Sequence, residues 1–272
     1  MKVIVTGSSG FIGSHLTKML ISLNKEVMGV SRRNSPFSNY NVNTYSSLVN
    51  FSNNKNFLIH LAGSNLNADS EINEEIKLIK ELSNAYKNRM IYSSSAVVYG
   101  NNSFNKVNEL CATDALTSYA KNKLICEKQV ISNGGIVLRL SNVFGPRMSD
   151  KSVFYDILKQ LNKNTICLEN FSAKRDFIFI DDVCNAINNV LDRPSKGIYN
   201  VSTGEGNTIT DICDFILDIK GLDRLKFIYA SKNKIKSHLV LDPQLFKKQF
   251  KWDTKITLEI GIKNLLQKED KY

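Results

Sequence analysis

The chain contains 272 residues, of which 42% are hydrophobic and 23% are charged, and its formal net charge at pH 7 is +10. A chain of this length can bury a core that needs neither disulfides nor a metal, and its composition is ordinary for a globular protein in water. With only 14 glycines and four prolines, the sequence excludes collagen-like and low-complexity classes.

The sequence also lacks the usual signals of export and membrane insertion. Met1-Lys2 leads directly into the apolar run Val3-Ile4-Val5, which predicts a buried strand rather than a signal peptide. No apolar run approaches the ~20 residues that span a bilayer. We therefore expect a cytoplasmic protein without a membrane partner.

The excess of positive charge admits three interpretations. It can form a solvated lysine-rich face, attract small polyanions such as nucleotide phosphates, or attract nucleic acid. No nucleic-acid-binding motif accompanies the charge, which argues against nucleic acid as a partner. The five cysteines have no Cys-x-x-Cys spacing and the three histidines have no ligand-type spacing, so we expect free thiols and no metal site.

Short apolar runs alternate with helical patterns along the first half of the chain, which predicts an α/β protein with a doubly wound parallel sheet. The predicted strands are 3–5, 27–30, 57–61, 90–93, 136–140, 176–180 and 198–201. The predicted helices are 11–23, 72–86, 119–131, 152–161, 181–191, 210–219, 242–250 and 256–266. We expect a Rossmann domain from residues 1–145 plus 176–204, and a small C-terminal substrate-binding lobe from 146–175 plus 205–272.

A glycine-rich loop joins the first strand to the first helix. The spacing Gly7-Ser8-Ser9-Gly10-Phe11-Ile12-Gly13 differs by one residue from the Gly-x-Gly-x-x-Gly dinucleotide fingerprint. Such glycines allow a tight turn, a close approach to a pyrophosphate and close packing of helix on strand, while the helix N-terminus faces the phosphate. The loop therefore predicts a dinucleotide site, and a small-residue turn that only begins a helix is the alternative.

The residues after the second strand bear on the choice of dinucleotide. An acidic residue there would bind the ribose hydroxyls of NAD, but this sequence has Ser31-Arg32-Arg33. Arginine pairs with phosphate oxygens in a fork, which suits the 2′-phosphate of NADP. We therefore expect NADP, with NAD as the alternative.

A tyrosine and a lysine at helical spacing are candidates for acid–base chemistry. Tyr119 and Lys123 are four residues apart, so a helix puts both on one face. An ammonium beside a phenol is expected to lower the pKa of the phenol and let it exchange a proton near neutral pH. Upstream, the predicted strand ends in Ser93-Ser94-Ser95, and Ser95 is our candidate to hydrogen-bond a substrate oxygen, with the other two as structural residues.

Together these motifs resemble the extended short-chain dehydrogenase/reductases, in the group of NAD(P)-dependent nucleotide-sugar epimerases and dehydratases. The resemblance runs nearly end to end. The matching features are the glycine loop, His60-Leu61-Ala62-Gly63, Asn73, the strand end 93–100, Tyr119 with Lys123, and segments 139–147, 175–183 and 199–204 with Trp252.

The resemblance implies roles for particular residues. The catalytic set is Ser95, Tyr119 and Lys123, in which Ser95 and Tyr119 bracket the reacting sugar oxygen and Lys123 binds the nicotinamide ribose. The implied cofactor contacts are Gly7, Gly10, Phe11, Ile12, Gly13, Ser31, Arg32, Arg33, Leu61, Ala62, Gly63, Ser93, Tyr119 and Lys123. The implied substrate contacts are Ser95, Tyr119, Asn142, Arg147 and Arg175. Asn142 and Arg175 are implied to contact the diphosphate, and Arg147 in the Gly-Pro-Arg loop is a further candidate for that contact. A homodimer is also implied.

One departure from the family pattern narrows the reaction. Nucleotide-sugar 4,6-dehydratases carry an acidic residue just after the catalytic hydroxyl, whereas this chain has Ala96 and Val97, which cannot transfer protons. A dehydratase is therefore disfavoured, which leaves 4-epimerases and 4-keto reductases. Because Ser31-Arg32-Arg33 favours NADP, we expect an NADPH-dependent reductase of a nucleotide-activated 4-keto-(6-deoxy)sugar in the synthesis of surface polysaccharide precursors. The alternatives are a nucleotide-sugar 4-epimerase with tightly bound NAD, and a non-catalytic NADP-binding regulator of the same fold.

Overall fold

A computed structural model describes residues 1–32, 35–41, 45–53, 55–63, 69–100, 106–163, 165–224, 228–231 and 237–269. Apolar runs of four to six residues form its main strands. The strands are β1 (Lys2–Thr6), β2 (Glu26–Ser31), β3 (Tyr40–Asn41), β4 (Phe57–His60), β5 (Met90–Ser95), β6 (Ile136–Leu140), β7 (Asn142–Phe144), β8 (Thr165–Leu168), β9 (Lys174–Arg175), β10 (Phe177–Phe179), β11 (Gly197–Val201), β12 (Asn207–Thr208), β13 (Ile228–Ser231) and β14 (His238–Leu239).

The helices follow apolar positions spaced three and four residues apart. They are α1 (Phe11–Ser22), α2 (Asp69–Tyr86), α3 (Ser118–Ser132), α4 (Val153–Leu158), α5 (Ile180–Asp192), α6 (Ile209–Ile219), α7 (Gln244–Phe250) and α8 (Leu258–Glu269). No described helix is both long and apolar enough to cross a membrane.

The centre of the molecule is a seven-stranded parallel sheet with the order β11-β6-β5-β4-β1-β2-β3. The expected doubly wound parallel sheet is therefore confirmed. The chain runs outward from β1 to β2 and β3, and then crosses back to β4 on the other side of β1. Ligands of such sheets bind at the carboxyl ends of the strands beside this reversal.

Helices cover both faces of the sheet, because neighbouring residues on each strand point to opposite faces. Val3 and Val5 of β1 join the core that includes α1 and α5, whereas Ile4 joins the core that includes α2 and α3. Both faces are therefore apolar, as the continuous apolar runs of a buried parallel sheet require.

The second half of the chain adds three small sheets beside the main one. Strand β7 pairs with β10, β9 lies between β12 and β14, and β8 pairs with β13. Strand β11 returns to the main sheet and pairs with β6. The division into a Rossmann domain and a substrate-binding lobe at the boundaries given above stays a prediction.

Candidate active site

The glycine loop lies between the carboxyl end of β1 and the start of α1. Gly7 has a φ of +67°, and a Cβ atom there would lie 2.9 Å from the backbone nitrogen of Ala62. A Cβ at Gly13 would lie 2.1 Å from the carbonyl oxygen of Gly7. Side chains at these positions would therefore fill the space in the turn. Since α1 also carries no acidic residue in its first turn, the glycine turn and the N-terminus of α1 fit a pyrophosphate.

Gly10, Phe11 and Ile12 complete the predicted phosphate loop. Gly10 is the extended residue that precedes α1, and its carbonyl oxygen accepts a hydrogen bond from the Ser14 amide at 2.9 Å. Phe11 and Ile12 are half-buried in the first turn of the helix. Their backbone amides therefore lie at the positive end of the helix dipole.

Thr6, the last residue of β1, joins this loop to the neighbouring strand β4. Its hydroxyl oxygen accepts hydrogen bonds from the amides of Leu61 and Ala62, each at 3.2 Å. The same hydroxyl lies 3.1 Å from Nδ1 of the buried His60. Sequence reasoning did not identify Thr6, although a hydroxyl immediately before the glycine turn was a signal that could have done so.

The end of β2 carries the residues predicted to select the cofactor. Ser31 is buried, and its hydroxyl lies 2.8 Å from the Ser9 hydroxyl in the glycine loop. Arg32 is exposed, with its guanidinium carbon 5.8 Å from the centre of the Tyr45 ring. Arg33 lies outside the described residues. Ser31 therefore lies beside the glycine loop, and Arg32 follows it in the chain. Their contact with a cofactor stays a prediction.

A buried polar network anchors α3, the helix that carries Tyr119 and Lys123. Glu127 of α3 pairs with Arg139 of β6 at 2.6 Å and also hydrogen-bonds the Ser94 hydroxyl of β5. The Asn122 side chain of α3 also donates a hydrogen bond to the Glu75 carboxylate of α2. Because the helix is tied to two strands and a neighbouring helix, its first turns are held in a defined position over the sheet edge.

Lys123 is buried, one turn along α3 from Tyr119, and has several partners. Its Nζ donates to the Tyr92 hydroxyl at 3.1 Å and to the Ser93 carbonyl at 3.2 Å, and it lies 5.6 Å from the centre of the Tyr119 ring. Glu75 of α2 approaches Nζ to 3.8 Å. Tyr119 and Lys123 therefore share one face of α3, as predicted from their spacing.

The expectation that the pKa of Tyr119 lies below its ordinary value is not met in this structure. The pKa of Tyr119 is raised above its ordinary value of 10.0, first because the phenol is buried and second because of the carboxylate of Glu75. Burial lowers the pKa of Lys123, and Glu75 acts in the opposite direction. The lysine is balanced by a carboxylate that the sequence motif does not include.

Ser95 is the last residue of β5 and is half-buried, and its hydroxyl accepts a hydrogen bond from the Val97 amide at 3.4 Å. Ser93 lies two residues earlier on the same strand, with Ser94 between them turned toward α3. Ala96 is buried and Val97 is 40% exposed, so the position after Ser95 offers an apolar surface without a proton donor.

Asn142 and Arg175, two of the predicted substrate contacts, flank a buried aspartate. The Asn142 side-chain amide donates to the Asp176 carbonyl oxygen at 3.1 Å. Asp176 accepts from the Thr203 amide at 3.0 Å and from the Gly204 amide at 2.9 Å. Asn142 is therefore bonded to the backbone of the residue that follows Arg175 in the chain. The Asp176 carboxylate, which sequence reasoning missed, fixes the Thr203–Gly204 turn instead.

The guanidinium of Arg175 is bound to the segment that leads into β14. It donates to the Ser237 carbonyl oxygen at 2.8 Å and to the Ser237 hydroxyl at 2.7 Å. Arg147, the third predicted diphosphate ligand, has a different neighbour: its guanidinium carbon lies 5.0 Å from the centre of the Phe37 ring. The residue after Phe37, Ser38, bonds Ser8 of the glycine loop at 2.8 Å, so Arg147 contacts the segment that also contacts this loop.

Comparison with known proteins identifies the family of the chain. The model of the NAD-dependent epimerase/dehydratase family matches residues 3–202. A putative UDP-glucose 4-epimerase of Methanocaldococcus jannaschii is 25% identical, over 97% of each chain.

Two solved structures show the same fold. The first is a dTDP-glucose 4,6-dehydratase of Bacillus anthracis in complex with NAD, with a TM-score of 0.84, 18% identity, and coverage of 100% of this chain and 97% of that chain. The second is RMD of Pseudomonas aeruginosa complexed with NADPH, with a TM-score of 0.81, 22% identity and full coverage of both chains. Because the family model spans most of the sequence, the chain belongs to the NAD-dependent epimerase/dehydratase family, whose enzymes act on nucleotide sugars.

Proposed function

We propose that this protein is an NADPH-dependent reductase of a nucleotide-activated 4-keto-(6-deoxy)sugar. The observation that carries the proposal is the state of Tyr119. Burial and the Glu75 carboxylate raise the pKa of the phenol, so it holds its proton at neutral pH. A ketone reductase needs a proton donor at the start of its reaction, whereas oxidation of a sugar hydroxyl needs a proton acceptor.

The residues that would hold the cofactor lie along one edge of the sheet. The glycine turn and the N-terminus of α1 suit the pyrophosphate, Arg32 suits a 2′-phosphate, and Lys123 suits the nicotinamide ribose. NADPH, when bound, supplies the hydride for carbon 4 of the sugar.

The chain itself would supply the proton and steady the developing charge. Tyr119 donates its hydroxyl proton to the carbonyl oxygen as that oxygen gains negative charge, and the Ser95 hydroxyl hydrogen-bonds the same oxygen. The Lys123 ammonium then stabilises the phenolate that remains. Ala96 and Val97 offer no group for removing a second proton, which disfavours loss of water from the sugar.

A 4-epimerase with tightly bound NAD is the second candidate, favoured by the full-length similarity to the putative UDP-glucose 4-epimerase of M. jannaschii. Such an enzyme would start by taking a proton from the sugar hydroxyl, so it needs Tyr119 as the phenolate. The two candidates thus differ in the starting charge of one side chain and in whether the cofactor leaves after each turnover.

The test combines cofactor release with a substrate screen. The purified protein is denatured and its supernatant assayed for released NAD, and the native protein is screened with 4-keto and 4-hydroxy sugar nucleotides for NADPH oxidation. We expect little released NAD and oxidation of NADPH with a keto sugar. Stoichiometric NAD together with interconversion of 4-hydroxy epimers would establish the epimerase instead. A protein that binds NADPH but turns over no sugar nucleotide would be the non-catalytic regulator.

A further inference from the structure

A buried carboxylate lies beside the active-site lysine. Glu75 lies on α2, and its side chain is 8% exposed. One carboxylate oxygen, Oε1, lies 3.8 Å from Lys123 Nζ, and the other, Oε2, accepts a hydrogen bond from Asn122 Nδ2 at 2.7 Å. The carboxylate therefore contacts two residues in the first turns of α3, next to Tyr119.

The oxygen that faces the lysine has no hydrogen-bond partner among the described residues. A buried carboxylate oxygen without a hydrogen bond is costly, and native proteins seldom keep one. Gly63 lies beside both charged groups, and the space there would accept a methyl group without a clash. A Cβ at Gly63 would lie 3.6 Å from Lys123 Nζ and 3.7 Å from Glu75 Oε1. Among the described residues, the cation that Oε1 faces is the Lys123 ammonium.

We propose that Glu75 is a positioning residue that balances the charge of Lys123 and thereby keeps Tyr119 protonated as the proton donor. The consequence for catalysis rests on the proposed reductase function. The effect on Tyr119 itself does not, because it depends only on charges within the chain.

The charges around Lys123 explain why the Glu75 carboxylate keeps Tyr119 protonated. The titratable groups that face Lys123 come from four elements: His60 of β4, Glu75 of α2, Tyr92 of β5, and Tyr119, Cys126 and Glu127 of α3. With Glu75 ionised and Lys123 protonated, this pair is neutral, and ionisation of Tyr119 would leave a net negative charge in a buried site. Without the carboxylate, the ammonium is unbalanced, and the phenol gives up its proton at a lower pH.

The experiment measures the ionisation of Tyr119 directly. Ultraviolet difference spectra record tyrosinate during a pH titration, and the spectrum of Tyr119→Phe is subtracted to isolate this residue. In the wild type we expect a midpoint above 10.0, the ordinary value. In Glu75→Gln, which keeps an oxygen acceptor for Asn122, we expect the midpoint to fall by about one pH unit, or tenfold in the ionisation constant. A wild-type midpoint at or below the ordinary value, or an equal midpoint in the variant, overturns the proposal.

Two further variants separate charge from structure. Glu74→Gln removes the same charge from an exposed neighbour on α2 and should leave the midpoint unchanged. The double variant Glu75→Gln with Asn122→Asp exchanges the two partners, so that it restores a carboxylate to the buried site and keeps the hydrogen bond. We expect the double variant to recover most of the wild-type midpoint. A midpoint that stays low despite the restored carboxylate would contradict the role of charge. If Glu75→Gln does not fold, Asn122→Asp alone adds a second buried carboxylate beside Lys123 and should raise the midpoint above that of the wild type; an unchanged or lower midpoint would contradict the role of charge.

Rates then test the link to function. In a reductase, kcat/KM falls as pH rises through the Tyr119 midpoint, so Glu75→Gln should move this fall by about one pH unit toward acid. If the titration midpoint shifts but no keto sugar is reduced at any pH, the role of Glu75 stands and the reductase assignment falls. If a keto sugar is reduced and the pH profile does not move, the assignment stands and the role of Glu75 falls.

Discussion

At the scale of single residues, the candidate site divides into groups that a motif reveals and groups that only the fold brings together. Tyr119 and Lys123 are four positions apart on one helix, so their proximity follows from helical geometry alone. Glu75 is 48 positions before Lys123, and its hydrogen bond to Asn122 spans 47 positions. A local pattern cannot predict such a contact, because it depends on how α2 packs against α3.

The first prediction concerns the hydroxyl of Tyr119. Tyr119→Phe removes the proton donor and keeps the ring that packs near Lys123. We expect kcat to fall by at least about 100-fold, within the range of general acid catalysis, while the dissociation constant for NADPH changes by less than about twofold. Steady-state rates and NADPH fluorescence titration measure the two quantities. A variant that keeps near-normal turnover would remove Tyr119 from the chemistry.

At the scale of elements, the sequence predicted the strands and helices around the predicted cofactor site well. The apolar run 136–140 corresponds to β6, and β1, β2, β4, β5 and β11 are within one or two residues of their predicted ends. The two-residue edge strand β3 was not predicted. In these segments the apolar pattern is set by burial on both faces of a parallel sheet.

The second half was harder to predict for a physical reason. Strands β9, β12 and β14 are two residues long, too short for any periodicity, and they form only because distant segments pair with them. The helix predicted at 152–161 is shorter, since α4 ends at Leu158 and the chain then turns. Helix α7 begins at Gln244 rather than at residue 242, because Pro243 has a non-helical conformation at its N-terminus.

The second prediction concerns the packing of α1 on β1. A Cβ at Gly13 would lie 2.1 Å from the Gly7 carbonyl oxygen, whereas a Cβ at Gly10 would lie 3.1 Å from the same atom. Gly13→Ala must therefore displace the backbone of the glycine turn, and we expect the cofactor to bind at least about tenfold more weakly, with stability reduced by about 1–3 kcal/mol. Gly10→Ala, the graded control, should show a smaller effect in calorimetric titration with NADPH. Equal effects of the two variants would contradict the steric argument.

The third prediction concerns the end of β2. Arg32 and Arg33 are the two arginines expected to contact a 2′-phosphate, and of these the structure describes Arg32. Because a hydrogen bond to a charged group contributes about 1.5–3 kcal/mol, Arg32→Ala should weaken NADPH binding about tenfold or more and leave NADH binding nearly unchanged. Arg193→Ala, which alters an exposed arginine after α5, is the control. If Arg32→Ala weakens the binding of NADPH and NADH equally, Arg32 does not contact the 2′-phosphate.

At the scale of the whole molecule, a buried and a half-buried carboxylate connect distant parts of the chain. Asp182 accepts from the Lys255 and Ile256 amides, so it fixes the approach to α8 against α5. Glu109 accepts from the Asn200 amide at 2.7 Å across 91 positions. Burial raises the pKa of both carboxyl groups, which means that burial disfavours their ionised forms. The hydrogen bonds from the backbone amides act in the opposite direction. These contacts had no signal in the sequence, since each carboxylate reads as an ordinary surface residue.

The last prediction concerns how global stability depends on pH. His60 is buried between the rings of Tyr92 and Tyr45, and burial together with the positive charge of Lys123 lowers its pKa from 6.5 to about 3. The folded chain therefore resists a proton that the unfolded chain accepts below 6.5, and the stability contributed by neutral His60 is lost as pH falls from 6.5 toward 3. Well below the unfolded pKa, the loss approaches about 1.4 kcal/mol per pH unit.

The buried carboxyl groups act in the opposite direction, because their folded pKa values are raised, so the wild-type profile alone does not isolate His60. His60→Gln provides the comparison: it keeps a polar atom for Thr6 but does not titrate. We expect this variant to be less stable at neutral pH, and its deficit in the free energy of unfolding to shrink by roughly 2 kcal/mol between about pH 7 and about pH 4.5. Urea unfolding at a series of pH values measures both proteins. If the two stability curves run parallel, His60 binds its proton in the folded state nearly as readily as in the unfolded state. The buried site between β1, β5 and Lys123 would then tolerate a positive charge, contrary to this argument.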